Sequence, residues 1–351
     1  MISALPTRFL APIGLLAALL WTAAPTSAQD RLRADAPNDW LIQDATVLTV
    51  TNGTIENGDI LVRDGDIASV GQDLSAPSGV ETYDASGEYV MPGIIDAHQH
   101  FALSNINEAT NQVTAEVGVG DVLDPYDVGL YRGLAGGVTA AHVMHGSANP
   151  VGGRNETIKL RYGTTNPDAL KMEGAPRTVK FALGENPTRV YGEGRNQQPR
   201  TRMGVEQVIR KAMSEARRYQ EATEAYQNGE RDRPPERSER LEVLADVIEG
   251  EVIPHVHSYR ADEIMSFMNV MEDFGVEDIV FQHVNEGFKV APELAAYGDN
   301  GASASVFSDW WAYKFEVYYS TAYNAAILTE NDVLTSINSD IPGEQRDLYL
   351  Q

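Results

Sequence analysis

The spacing of apolar residues changes character at Pro92. From Trp40 to Val90, short runs such as WLIQDATVLTV and GDILVRDGDIASVG alternate apolar and polar positions and close on Asn52-Gly53 and Asp64-Gly65. A period of two bounded by Asn-Gly or Asp-Gly predicts strands joined by tight turns. GVETYDASGEYVMPG adds two short strands, so residues 38–90 are expected to form a small β unit. Beyond Pro92, short apolar segments alternate with longer helical patterns. The predicted strands are GIIDAHQHF (93–101), GVTAAHVMHG (137–146), RTVKFALGEN (177–186), VIPHVHSYR (252–260), DIVFQHVNEG (278–287), ASASVFSD (302–309) and VLTSINSD (333–340). Helical spacing fills DPYDVGLYRGLAG, GVEQVIRKAMSEARRYQEATEAYQNG, RADEIMSFMNVMEDFG and TAYNAAILTEN. Such alternation implies a parallel sheet. Polar residues at so many strand ends favour a closed barrel over an open doubly wound sheet, and no Gly-rich dinucleotide fingerprint follows the first strand. Residues 189–240 read as an insertion, with NGERDRPPERSER as a solvated turn.

Composition narrows the chemistry. Of 351 residues, 51 are Asp or Glu and 27 are Lys or Arg, a net charge of −24. So acidic a surface repels nucleic acid and anionic lipid, and neither is expected as a partner. Cysteine is absent. No disulfide or thiolate chemistry is open to the chain, and any metal must be held by histidine, carboxylate or a modified lysine. The first residues carry Arg8, an apolar run from Phe9 to Trp21 and the small residues Thr26-Ser27-Ala28. That layout predicts a signal peptide over 1–28, cleaved after Ala28, and an exported (periplasmic or secreted) protein. A membrane anchor is the rival, but the run is short and Pro12 interrupts it. The sequence stops soon after the last strand, where a barrel would place its final helix, so residues 91–351 are expected to be a barrel truncated at its C-terminus.

All seven histidines fall on or at the ends of predicted strands. His98 and His100 stand two apart and share one face. One such pair could be satisfied core residues. Here it recurs with His255 or His257 on one later strand, His283 on the next and Asp340 at the end of the last, which favours a metal site. Neutral imidazoles and carboxylates suit zinc or a similar divalent ion, one or two per chain. No GxSxG elbow supports a serine nucleophile.

VMPGIIDAHQHF resembles the opening of the amidohydrolase superfamily, in which PGxIDxHxH follows a small β-sandwich and begins a (β/α)8 TIM-like barrel. The nearer resemblance is to the imidazolonepropionase-like group, which includes metal-dependent prolidases acting on Xaa-Pro dipeptides; it covers roughly residue 40 to the end. The resemblance implies that His98 and His100 are first-strand ligands, that His257 fits the next position better than the deeper His255, and that His283 and Asp340 complete the set. It leaves two candidates for the bridging ligand: Lys180, which would be carboxylated, and Glu185 at the strand end. It further implies hydrolysis of an amide or other C–N bond in a small substrate, an Xaa-Pro dipeptide or a cyclic amide, with Asp340 as the catalytic acid–base. A homo-oligomer is compatible with it.

Other residues near these strand ends are candidates for substrate contact. His145 precedes a loop with Gly152 and Gly153 that would suit an anion or be a plain flexible loop. Tyr259 and Arg260 follow His257, and Arg260 would pair with a carboxylate or, less usefully, with Asp262. Glu286 and Lys289 follow His283 as substrate contacts or a helix-start ion pair. Trp310 and Trp311 would wall an apolar pocket or simply cover the barrel rim. Gln99, between the two histidines, is expected to point into the outer packing. The alternative is an inactive barrel fragment or a binding protein retaining the fold.

Overall fold

The computed structural model describes residues 39–307 and 313–350. The expected signal peptide, Trp310 and Trp311 lie outside them. The chain divides into two compact units with the boundary between Met91 and Pro92.

In the first unit the described strands form one five-stranded sheet. β1 (Trp40–Leu48) is paired by β2 (Thr54–Arg63), β4 (Glu81–Asp84) and β5 (Tyr89–Val90), and β3 (Asp66–Gly71) pairs β2. The β2–β3 turn shows why the dipeptide matters. Arg63 pairs with Asp66 across a two-residue loop, and both Asp64 (φ 53°) and Gly65 (φ 87°) take positive φ. That is the conformation whose twist matches the strands it joins. Ala45, Val47, Ile60 and Ala85 form this unit's small core.

The second unit is a mixed α/β fold containing all seven predicted strands. β6 (Ile94–Gln99) pairs in parallel with β7 (Val138–Val143). β10 (Thr178–Ala182), β11 (Ile253–Ser258), β12 (Val280–His283), β13 (Ser303–Val306) and β14 (Thr335–Ile337) form a parallel run in that order. Between the two runs lies a segment that the hydrophobic pattern did not announce. β8 (Val151–Arg154) runs antiparallel to β10, and β9 (Glu156–Lys159), one residue further on, runs antiparallel to β7. The expected all-parallel arrangement therefore fails at this position. The strand that pairs with β7 is β9, and the chain between them, residues 144–155, turns back through β8 with no crossover helix, so β9 meets β7 antiparallel. On the other side, Asp340 N donates to His98 O (3.1 Å) and Ser339 N to Asp96 Oδ1 (3.1 Å), holding the end of β14 against β6.

Helices cover the parallel run. The helix Arg202–Gln227 is capped by Thr201, whose hydroxyl accepts from Gly204 N, and buries Val205, Val208, Ile209, Ala212, Met213 and Ala216. Their spacing of three and four residues places them on one stripe. They join one cluster with Val179, Phe181, Val256, Phe267 and Phe281. A second cluster gathers Phe101, Leu130, Val138, Ala141, Val143, Ile158 and Leu348 around β6, β7 and β9. Residues 189–240, read as an insertion, supply the whole of the long helix, and Asn228 to Ser238 carries no helix or strand. Among the described residues no helix is long and apolar enough to cross a membrane.

Candidate metal centre

His98 and His100 turn their Nε2 atoms toward each other, 3.2 Å apart. The opposite nitrogens explain why. His100 Nδ1 lies 2.9 Å from Met144 O, and His98 Nδ1 lies 2.9 Å from Gln282 Oε1. A carbonyl oxygen only accepts, so each Nδ1 carries the proton and each Nε2 keeps a free lone pair. Lys180 Nζ, from β10, stands 3.3 Å from His98 Nε2. Asp340 Oδ1 stands 3.4 Å from His98 Nε2 and 3.6 Å from His100 Nε2.

Backbone turns bring in the remaining groups. Strict alternation would send the residue after the inward Gln282 to the far face of β12. Instead His283 takes φ 66° and Val284 φ 44°. Positive φ is costly for a β-branched residue and tends to be kept where function needs it. The turn stacks the His283 ring on His98 at 4.8 Å. Asp340 also has φ 58°. Metal-ligating atoms of His98, His283 and Asp340 lie within 4.8 Å of one another. His257 from β11 sits edge-on to His283 at 4.7 Å, with Asn186 Nδ2 3.2 Å from its Nε2. Buried His283 Nδ1 has no hydrogen-bond partner, an expensive state unless an ion uses its lone pair. Four imidazoles, one of them with that orphaned nitrogen, and a carboxylate fit a divalent cation.

Burial sets the charge states. It drives the basicity of His98, His257 and His283 well below the ordinary imidazole value, with neighbouring cationic groups adding to it, and takes His100 to about 3. Neutral imidazoles are what a metal requires. Burial lowers the Lys180 pKa and raises that of Asp340, and the attraction between the two opposes both shifts.

The same burial makes the fold acid-sensitive. His142, on β7 with Nε2 2.9 Å from Thr178 Oγ1, is pushed by burial to about 3. Below its ordinary value of 6.5 the unfolded chain takes up a proton that the native ring refuses. Stability is therefore lost as pH falls from 6.5 toward 3, by about 2 kcal/mol at pH 5 from this one ring. Urea unfolding of His142→Gln at pH 7.5 and pH 5 should show a loss smaller than the parent's by that amount; identical losses would contradict this account.

The other candidates are placed as follows. His255 is buried behind the site, joined to Gln282 Nε2 through Nδ1 at 2.9 Å. Tyr259 packs edge-on to His257 at 4.6 Å and accepts a 2.7 Å bond from the Tyr313 hydroxyl. Glu185 faces Lys314 (3.5 Å) and Arg189 (3.8 Å). Both ring nitrogens of His145 are engaged, Nδ1 with Gly146 O and Nε2 with Glu108 N, each at 2.8 Å. Gly152 and Gly153 belong to β8 and not to a loop; a Cβ at Gly152 would lie 2.6 Å from His145 Nδ1. The pair makes room for that ring. Arg260 forms a two-pronged pair with Asp262 at 2.9 Å. Glu286 accepts from Ala261 N (3.0 Å), at the start of the helix Ala261–Glu272, and pairs with Lys289 at 3.0 Å. Gln99 does not enter the outer packing. It is buried, donating to Asp96 Oδ2 (3.2 Å) and to Ser339 Oγ.

Several residues of this region went unread in the sequence. Lys314 lies 4.0 Å over the Tyr259 ring, 3.3 Å from Asn186 Oδ1 and 3.2 Å from Glu316. Beside His100 a cavity of about 630 Å³ is lined by Asn107, Ser147, Asn186, Arg189 and Glu193. His100 is the one imidazole among the residues that line it.

The described structure is thus a mixed α/β fold with imidazoles and a carboxylate gathered at strand ends. No family model matches the chain. It is similar to the crystal structure of an amidohydrolase from Thermotoga maritima MSB8, with a TM-score of 0.79 and 33% identity over 86% of this chain and 78% of that one. It is 28% identical over 93% of its length to amidohydrolase tasK of Hapsidospora irregularis. A shorter stretch, 32% of the chain, is 32% identical to an adenine deaminase of Archaeoglobus fulgidus. The chain spans 35% of the length of tasK and 21% of that of the deaminase. The chain belongs to the amidohydrolase superfamily.

Proposed function

We propose that this chain is a metal-dependent amidohydrolase that cleaves an amide or other C–N bond of a small substrate, an Xaa-Pro dipeptide or a cyclic amide. The observation that carries it is the convergence of His98, His283 and Asp340, with ligating atoms within 4.8 Å of one another, on a superfamily scaffold. In this reading β6, β7, the reversed β8–β9 segment and β10–β14 wall one barrel, and export with removal of residues 1–28 belongs to the same proposal.

His98, His100, His257, His283 and Asp340 would hold one or two divalent ions, zinc by preference, with Lys180 bridging as a carbamate. Glu185 is the weaker bridge because its carboxylate faces Lys314 and Arg189. Burial that lowers the Lys180 pKa favours the neutral amine that carboxylation requires. An ion held there would supply the chemistry of an activated water and a polarised carbonyl. Asp340 Oδ1 takes the proton of the attacking water and returns it to the departing nitrogen. In this reading the His100 and Asn186 side of the cavity orients the substrate, and Lys314, which reaches Asn186 from over the Tyr259 ring, holds that amide in place.

Metal analysis of the purified protein should find about one or two divalent ions per chain. The loaded protein should hydrolyse at least one of three substrate sets: Xaa-Pro dipeptides, N-acyl amino acids or cyclic amides. A well-folded preparation that takes up no divalent ion overturns the proposal.

A further inference from the structure

One buried polar side chain at the centre has no part in the ligand set. Gln282 lies on β12, fully buried, with its amide between two imidazoles. Oε1 is 2.9 Å from His98 Nδ1 and Nε2 is 2.9 Å from His255 Nδ1. An amide offers an acceptor at one end and donors at the other, so its orientation decides the proton position on both rings.

The surroundings show what hangs on that choice. His100 has its tautomer imposed by Met144 O, so its Nε2 is a lone pair. With Gln282 Oε1 toward His98, the second Nε2 is a lone pair as well, and the two face each other at 3.2 Å beside Lys180 and Asp340. With the amide reversed, His98 would carry its proton on Nε2, donate to His100, and offer nothing to an ion. His255 anchors the far end. Its ring is buried and held edge-on by His142 at 4.5 Å, and its Nδ1 receives the Gln282 donor.

We propose that Gln282 is a positioning residue, which, braced by His255, holds His98 in the Nδ1–H form and aims its Nε2 lone pair into the metal centre. This rests on the metal-site reading above, and one arm of the test does not depend on it. Partners of ligating imidazoles typically account for about 10–100-fold in metal affinity.

The test compares the full chain with Gln282→Leu and Gln282→Glu. Zinc affinity is measured by chelator competition, and ring tautomers by nitrogen-15 NMR of the metal-free protein. The glutamate variant keeps an acceptor for His98, exchanges the donor facing His255 for a second acceptor that His255 can meet by protonating its Nδ1, and adds a negative charge. Gln282→Leu should weaken zinc about 10–100-fold and spread His98 over both tautomers, while Gln282→Glu restores affinity to within about threefold of the parent. Parent-like zinc affinity in a folded Gln282→Leu protein, or a parent His98 protonated on Nε2, overturns the proposal. Should Gln282→Leu fail to fold, the Gln282→Glu spectrum decides: Nδ1–H on His98 supports the role and its loss refutes it. A parent that binds no zinc yet shows His98 locked as Nδ1–H would sink the metal reading and leave the Gln282 contact standing.

Discussion

Replacing Asp340 with Asn is expected to lower kcat/KM by about 10³–10⁴-fold while leaving the fold intact. Asparagine keeps the size and removes the carboxylate that would take the proton. It also suits the backbone, since Asp340 sits at φ 58° and asparagine is among the few residues that adopt that region readily. Alanine would add backbone strain and confuse the result. The check pairs initial rates, on whichever dipeptide, N-acyl amino acid or cyclic amide the parent hydrolyses, with a thermal melt. A melt close to the parent's and a rate loss under about tenfold would remove Asp340 from the proton-transfer role.

Asp96→Ala should be the most damaging single change to stability near the site, costing about 2–4 kcal/mol. Fully buried, its carboxylate accepts from His98 N (3.3 Å), Ser339 N (3.1 Å), Gln99 Nε2 (3.2 Å) and Ser339 Oγ. Those contacts hold the end of β14 against β6 and place Asp340, the next residue. Alanine leaves the donors unsatisfied. The loss is not larger because burial already disfavours the charge, raising the Asp96 pKa despite four hydrogen bonds. Urea unfolding of parent and variant gives the number, and a difference below about 1 kcal/mol would show that the seam holds without it. Activity should fall in step, because Asp340 loses its anchor.

Much of this architecture was legible along the chain, and the exceptions have a common cause. Seven strands stood out because apolar runs such as VKFAL and IVF are local signals, and Asp64-Gly65 announced its turn. The pattern also located His98, His100, His283 and Asp340, since polar groups at strand ends contrast with apolar neighbours. β8 and β9 escaped notice because VGGR and ETIK are short, polar or glycine-bearing, and owe their extended form to β10 and β7. Gln282 and Gln99 were underread for a related reason. A buried amide declares its role only once its partners are known, and those lie on distant strands. Lys314, Asn186 and Glu316 come from loops whose meeting depends on the whole fold. Gly152 and Gly153 looked like a ligand cradle because glycines signal both open loops and close packing; the His145 ring decides between the two.

The reversed β8–β9 segment also alters how the two rims of the sheet divide their labour. Chain leaving β7 turns back within loop 144–150, beside His100, whose ring bonds to Met144 O. It then descends antiparallel to β7, so that Lys159 ends opposite Ala140. The longer excursion, residues 160–177, consequently emerges at the starting ends of the strands, away from the imidazoles. It is mostly solvent-facing and turns at Gly163 and Gly174, both with positive φ. Exposed stretches of this kind accept insertions and new chain ends best. For anyone wishing to tether this molecule to a surface, attach a fluorophore or reopen the polypeptide at a new point, that excursion is the natural handle, with the chemistry left at the opposite end.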